Sequence, residues 1–344
     1  MLGTKIGFDL GTSNVLAYVE GKGIKISEPS VIAYDTFTDK IKAVGKEAYK
    51  MIGRSPDSLT VIQPIRNGLV FDYDAIQNML AFYIQKLCGN QIFKPNLIVS
   101  VPSQVSDLEK RTVLDIATSA GAARACVIEE PLVAAIGARI DNKRFRGTLI
   151  VDIGGGTTDI AVITGGLVAK SASVTTAGGA FDEAICKYAK QKYDIIIGTV
   201  TAETAKKQIG TVKKMEAELA VRAVGKDSTT MLPKTIELTS SDMYECLREP
   251  LDNIIENIRL VLMETPPELN ADISVNGIVL TGGGALLRGA DEYIEKKLGI
   301  RTRCAEDPIN CVINGIGYYL KNMEELEQNG YVFMTYQDIN EFEE

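Results

Sequence analysis

The strongest constraint on this chain is an internal echo. Phe8-Asp9-Leu10-Gly11-Thr12-Ser13-Asn14 runs into apolar Val15-Leu16-Ala17-Tyr18-Val19. Val151-Asp152-Ile153-Gly154-Gly155-Gly156-Thr157-Thr158-Asp159 runs into Ile160-Ala161-Val162-Ile163. Each copy reads as a strand closed by an aspartate, a tight turn of glycine and hydroxyl residues, and a second strand. The copies stand about 140 residues apart, close to one domain length. Two similar halves turned toward one ligand is the simplest arrangement. One such turn alone is adequately explained as an ordinary hairpin; two with matched aspartates call for more.

The chemistry of these turns is that of phosphate binding. Glycine lacks a Cβ, so backbone N–H groups can approach an anion closely. Thr12, Ser13, Thr157 and Thr158 add hydroxyl donors, and Asp9 and Asp152, at strand ends, are placed to hold a hydrated Mg²⁺ beside the phosphates. A third cluster, Thr281-Gly282-Gly283-Gly284-Ala285, follows the strand Gly277-Ile278-Val279-Leu280. It is read as opening a helix, which brings helix-terminal amides and bare backbone to a ligand. No GxxxxGK[ST] loop occurs in the sequence. Ile128-Glu129-Glu130-Pro131 precedes a helical run. Proline and a carboxylate at a helix start have a plain structural explanation. Beside a phosphate, one of the two acids is instead suited to orient or deprotonate an attacking water.

Composition narrows the classes. A net charge of −8 argues against nucleic acid as a partner. The chain has no histidine, and its six cysteines form no CxxC pair, which argues against a zinc site or an imidazole base. No signal-peptide layout or membrane-length apolar run occurs, so reduced thiols in a cytoplasm are expected. The remaining segments alternate as in an α/β protein. Asn96–Val101 reads as a buried strand, and Ser106-x-x-Glu109 as a capping box opening a helix with Leu108, Val113, Ile116, Ala117 and Ala120 on one face. Glu249 to Glu264 reads as a helix burying Leu251, Ile254, Ile255, Ile258 and Leu262, stopped by Pro266-Pro267.

Asp9-Leu10-Gly11-Thr12, Asp152-Ile153-Gly154-Gly155-Gly156-Thr157 and Thr281-Gly282-Gly283-Gly284 resemble the phosphate-1, phosphate-2 and adenosine motifs of the actin, heat-shock chaperone and sugar-kinase superfamily. Glu28-Pro29-Ser30-Val31-Ile32-Ala33, Ile128-Glu129-Glu130-Pro131, Leu232-Pro233-Lys234-Thr235-Ile236-Glu237, Thr265-Pro266-Pro267-Glu268-Leu269 and Gly277 to Gly289 narrow this to the MreB family of bacterial actin-like proteins. The resemblance covers about Lys5 to Asn322. It implies an α/β, actin-like ATPase fold with two duplicated α/β domains around a nucleotide cleft. The domains would be residues 1–145, with an inserted subdomain at 33–66, and 146–322, with another at 178–244. A helix near 309–322 would pack back on the first domain, and the acidic tail 323–344 is expected to be disordered.

Carried over by position, Thr12, Ser13 and Asn14 would line the β- and γ-phosphates of ATP, with Gly154, Gly155 and Gly156 opposite. Glu203, Lys206 and Lys207 would hold ribose and adenine, although their spacing alone fits a solvated helix face equally well. Gly282, Gly283, Gly284 and Ala285 would back the adenosine. Glu130 would be the catalytic acid, with Glu129 the alternative, and Thr157 would position water. The resemblance further implies slow ATP hydrolysis coupled to homopolymeric filaments. These would lie at the inner face of the cell membrane and work with proteins of cell shape and wall synthesis. Ile92 and Phe93, in the loop Gly89–Lys94, would touch the membrane surface; read alone, they fit equally well as core cover. Gly179 stands where the family usually has an aspartate, which bears on hydrolysis rather than binding. A chaperone-type ATPase or a small-molecule kinase of the same superfamily are the alternatives. The first needs a substrate-binding domain after the ATPase, and the second an acceptor pocket for which no distinctive polar cluster appears.

Overall fold

In the computed structural model, which describes residues 3–89, 92–140 and 145–340, the first turn of the echo is a hairpin. Strands β1 (Lys5–Leu10) and β2 (Asn14–Val19) pair antiparallel, with Asp9 opposite Leu16 and Leu10 opposite Val15. The chain divides into two units, residues 1–141 with 310–344, and residues 142–309. In the first unit, β3 (Gly23–Pro29) continues the sheet from β2. Strands β4 (Ile32–Asp35), β5 (Ile41–Val44) and β6 (Leu59–Ile62) form a separate three-stranded sheet with helix α1 (Lys46–Tyr49), around Val31, Ala33 and Ala48. The short pair β7 (Ile65–Arg66) and β8 (Leu69–Val70) leads to α2 (Tyr73–Cys88), whose Asp72 cap accepts from the Ala75 amide. β9 (Asn96–Val101) is buried along its whole length, as a parallel strand covered on both faces must be.

Helix α3 (Asp107–Ser119) opens with the expected capping box, in which Ser106 and Glu109 satisfy each other's amides. Its buried side is Leu114, Ile116, Ala117 and Thr118. Leu108 is 74% exposed, which corrects the expected face. The nine residues between Leu108 and Ala117 are about two and a half turns, so the two point oppositely. β10 (Arg124–Glu129) runs parallel to β9 and passes directly into α4 (Glu130–Gly137).

The second unit repeats the plan. β11 (Thr148–Ile153) and β12 (Thr158–Thr164) are antiparallel, with Asp152 opposite Asp159 and Ile153 opposite Thr158, so the second turn has the same length as the first. β13 (Leu167–Val174) follows, then α5 (Gly178–Tyr193), β14 (Ile195–Ile196), α6 (Thr199–Ile209), β15 (Ala220–Asp227), β16 (Pro233–Thr239) and α7 (Ser240–Cys246). β14, β15 and β16 make their own small sheet. In α8 (Arg248–Glu264), Val261 completes the buried stripe in place of Leu262. Pro267 does more than end that helix: it occupies the first turn of α9 (Pro267–Asn276), where its missing N–H costs nothing. β17 (Ile278–Thr281), α10 (Ala290–Leu298) and β18 (Thr302–Cys304) close the unit.

The duplication is explicit in the sheets. The first runs β3-β2-β1-β9-β10 and the second β13-β12-β11-β17-β18. In each, the outer three strands are antiparallel and the last two join in parallel.

The chain then returns to the first unit. Helix α11 (Cys311–Lys321) lies against α4 and β1. The two helices approach backbone to backbone. A Cβ at Gly137 would fall on the Cys311 carbonyl, and one at Gly315 on the Val133 carbonyl. The tail is ordered through residue 340, which corrects the expectation of disorder. α12 (Met323–Gln328) buries Met323 and Leu326, Met334 bridges Ala125 with a reciprocal pair of hydrogen bonds, and α13 (Tyr336–Asn340) buries Ile339 in the first unit's core. The apolar residues spaced between its acids outweigh its charge. No helix among the described residues is long and apolar enough to cross a membrane.

The α4–α11 contact is therefore intolerant of a methyl group. Gly315→Ala is expected to lower stability by about 1–3 kcal/mol or more through overpacking, read as a lower urea midpoint with unchanged slope.

Candidate functional site

Both turns close in the same way. The Gly11 amide donates to the Asn14 carbonyl at 3.0 Å, and the Gly154 amide to the Thr157 carbonyl at 2.9 Å. In each unit the turn lies at the carboxyl end of a strand with a parallel neighbour, where open α/β sheets receive ligands. In the first unit, Thr12 Oγ1 accepts from the Gly68 amide at 2.9 Å, which leaves its hydroxyl hydrogen to donate elsewhere. Ser13 and Asn14 are exposed at the tip. Ser100 donates to Asp9 Oδ1 at 3.0 Å. Burial raises the Asp9 carboxyl to about 6, with the Ser100 hydroxyl pulling the other way. Register places Asp9 beside Ser100, and Val101 beside Glu129, so Glu130 emerges at the same sheet edge two strands over, roughly 10 Å across the strand spacing.

The two neighbouring glutamates differ sharply. Glu129 accepts from Lys110 Nζ at 2.9 Å and from the Tyr331 hydroxyl at 2.5 Å. Burial works to raise its carboxyl, but those two donors hold it below the usual carboxylate range. Glu130 is the first residue of α4 and is 9% exposed. Pro131 stands next to it, with no amide to lose in the first turn.

In the second unit, Asp152 is buried and its Oδ1 accepts from Thr281 Oγ1 at 2.7 Å. The Gly178 and Gly179 amides donate to the carbonyls of Gly154 and Gly155 at 3.0 and 2.8 Å, so the start of α5 braces the turn. Gly156 is buried and Thr157 half-buried. Thr158 does not contribute a donor as expected: it is the first residue of β12, turned inward, and its hydroxyl donates to the Thr176 carbonyl at 2.7 Å.

On α6, Lys206 and the pair Glu203–Lys207 separate. Lys206 Nζ donates to the Gly178 carbonyl at 2.6 Å and pairs with Asp182 at 2.9 Å. Burial raises Asp182 to about 6 even with that cation beside it. Lys207, mostly exposed, pairs with Glu203 at 2.7 Å one helical turn away. The sequence reading missed Asp182, Lys110, Ser100 and Tyr331, since a partner distant in the chain leaves no local pattern. Thr281 alone stood inside a quoted motif.

The third glycine cluster departs from expectation. Gly283–Leu286 is a single 3-10 turn, and α10 begins only at Ala290 after left-handed Gly289, so there is no helix N-terminus at these glycines. Two of them are explained by the protein itself. At Gly282, where φ is +78°, a Cβ would meet the Ile153 carbonyl and lie 2.8 Å from Asp152 Oδ1; at Gly284 it would strike the Ile153 side chain. Gly283 alone faces open space. Ala285 is buried. Ile92 and Phe93 are 92% and 52% exposed, so neither tucks into the core; their neighbours Asn90 and Gln91 lie outside the described residues.

The duplicated sheets and paired turns define an actin-like protein. A family model described as MreB/Mbl protein matches residues 3–328. Cell shape-determining protein Mbl of Bacillus subtilis (strain 168) is 41% identical over 329 residues, covering 95% of this chain and 98% of Mbl. Cell shape-determining protein MreB of Escherichia coli (strain K12) is 38% identical over 336 residues, 96% of each chain. The crystal structure of MreB 5 of Spiroplasma citri bound to AMPPNP matches with a TM-score of 0.91 at 37% identity, covering 96% of this chain and 99% of that one; the same protein bound to ADP matches with TM-score 0.91 and 37% identity, covering 95% and 99%. The chain belongs to the MreB/Mbl family of actin-like cell-shape proteins.

The glycines predict separable effects. Gly284→Ala is expected to lose about 1–3 kcal/mol by forcing the end of β11 apart. Gly283→Ala should stay within about 0.5 kcal/mol, both measured by chemical denaturation.

Proposed function

We propose that this chain binds ATP with a hydrated Mg²⁺, hydrolyses it slowly, and polymerises into filaments at the inner face of the cell membrane that organise cell shape and wall synthesis. The observation that carries the reading is the repeated turn, one per unit. In each, a glycine turn closed by one amide-to-carbonyl bond and a strand-end aspartate share one end of the sheet, an arrangement suited to phosphate. The S. citri relative was solved with AMPPNP and with ADP. The relatives most similar in sequence are named for determining cell shape.

In this reading Thr12, Ser13 and Asn14 contact phosphate from the first unit, and Gly154, Gly155 and Gly156 from the second. Gly283 is the glycine of its cluster best placed to meet adenosine, since a Cβ there meets nothing. Glu203 and Lys207 are left to the ribose and adenine, while Lys206 contributes by holding Gly178, and through it the second turn. No cluster of three or more metal-ligating side chains exists among the described residues. Mg²⁺ usually keeps several waters and takes one or two carboxylates plus substrate phosphates, the part proposed here for Asp9 and Asp152. When bound, the ion would neutralise phosphate charge. Glu130, at the edge shared with Asp9, is assigned the task of polarising the attacking water, with Thr157 positioning it. Glu129 remains the alternative, and its two donors, Lys110 and Tyr331, favour a structural part for it.

Filament growth needs only a head-to-tail contact whose operator does not close. Membrane attachment is assigned to Ile92 and Phe93, with exposed Lys94 meeting anionic headgroups. One apolar pair binds weakly; a filament repeating it gains avidity.

Glu130→Ala is expected to slow hydrolysis by about 10²–10⁴-fold with nucleotide affinity nearly unchanged, in a phosphate-release assay beside a binding titration. Wild-type turnover in that variant would remove Glu130 from the mechanism. Ile92→Ser combined with Phe93→Ser should release filaments from anionic liposomes in co-sedimentation while ATP-dependent pelleting without lipid persists. Undiminished liposome binding would place the anchor elsewhere.

A further inference from the structure

The family match ends at residue 328, yet the chain beyond it is docked on the first unit at four points. Tyr331 reaches Glu129, Phe333 is buried near Arg124, Met334 bridges Ala125, and Ile339 enters the core. Three of these lie on β10, which is the outer strand of its sheet. The segment therefore meets β10 first at the strand's last residue, through Tyr331, and runs back antiparallel along the edge opposite β9 to Ala125 and Arg124.

That last residue is Glu129, and the next is Glu130. β10 passes into α4 with no linker, so the orientation of Glu129 sets the direction in which α4 leaves the sheet and where its first residue points. Glu129 is held from two sides. Lys110 Nζ binds Oε1 at 2.9 Å, and the Tyr331 hydroxyl binds Oε2 at 2.5 Å. Tyr331 is itself fixed, since its amide donates to the carbonyl of Leu326, a fully buried residue. The neighbour of Lys110 on α3, Arg111, donates to the Ile339 carbonyl at 3.0 Å. One helix thus grips both Glu129 and the far end of the segment.

We propose that Tyr331 is a positioning residue for ATP hydrolysis: its hydroxyl, delivered by residues 329–340, locks Glu129 and thereby aims Glu130. This rests on the assignment of Glu130 as the residue that polarises water. The physical basis is geometric. Hydrogen bonds to a carboxylate are short and directional, and a displacement of about 1 Å at a catalytic group can cost on the order of 10²-fold in rate. The nucleotide contacts assigned above lie on other elements, so the strap should influence turnover and leave affinity alone.

The test compares wild type, Tyr331→Phe, Glu129→Gln, the double variant and Glu130→Ala, each checked for an unchanged melting profile. Phosphate release per pelleted subunit and affinity for a non-hydrolysable ATP analogue are measured. Tyr331→Phe keeps the ring and its burial and removes only the hydroxyl. It is expected to lower the hydrolysis rate about tenfold, within the range that such displacements allow, with affinity unchanged. Adding Glu129→Gln should cost less than the sum of the two single effects, since both act through one contact. If Tyr331→Phe turns over at the wild-type rate while Glu130→Ala is slow, the strap is a structural cover and the proposal falls. A loss of affinity parallel to the loss of rate also overturns it, because general loosening then explains both. If Glu130→Ala itself is unimpaired, the assignment beneath the proposal fails instead. Should Tyr331→Phe fold poorly, Glu129→Gln carries the same comparison.

Discussion

Each unit depends on one short contact, the amide of the first turn glycine bonded to the carbonyl three residues on. That bond holds the turn to the same four residues in both units, with the aspartate one residue before the loop-flanking position of the strand. The strands that carry the turns sit inside their sheets, so a slipped register would turn buried apolar residues toward the opposite face. Phe8, Ile6, Val151 and Leu149 are wholly buried, so apolar packing and the turn bond together fix the positions of Asp9 and Asp152. Glycine is required at the first position for a local reason: a Cβ at Gly11 would come within 2.9 Å of the Asn14 carbonyl.

How much of this was legible in the sequence follows from whether an interaction is local. The two hairpins, the capping box at Ser106 and the strand at Asn96–Val101 rest on neighbours in the chain, and the structure has them where the pattern put them. Leu108 was misread because a helix with one exposed leucine has the same composition as one without; only the angle to Ala117 separates them. The glycines at 282–284 were read as bare backbone for a ligand. Two of them instead admit Ile153 and Asp152, an approach between β17 and β11 that no single-segment pattern records. The tail was misjudged by its charge, although Leu326, Phe333 and Ile339 supply apolar contacts at intervals.

The turns that carry the candidate residues were legible, and the contacts that hold those residues were not. Asp9, Thr12 and Asp152 stood out because the same turn occurs twice with matched aspartates, and Glu130 through the Glu-Glu-Pro helix start. How each side chain is held depends on partners far off in the chain. Ser100 and Thr281 occupy one oxygen each of the two aspartates. Lys110 and Tyr331 hold Glu129 from two sides, contacts that adjacency in sequence does not reveal.

Lys206 shows why the distinction between contacting and positioning matters. A lysine on an exposed helix face would be free to meet a ligand, but this side chain is mostly covered and bound to Asp182 and the Gly178 carbonyl. Breaking that pair to reach a nucleotide would leave a largely buried aspartate without its cation, which is costly. Burial already raises Asp182 to about 6, so the lysine is what keeps the carboxyl from shifting further. The same ammonium fixes the carbonyl of Gly178, whose amide fixes the carbonyl of Gly154. Two hydrogen bonds thus join α6 to the second turn, the first from the Lys206 side chain and the second along the backbone. A change in the seating of α6 would reach Gly154 through those bonds, with no change of side-chain contact at the turn itself.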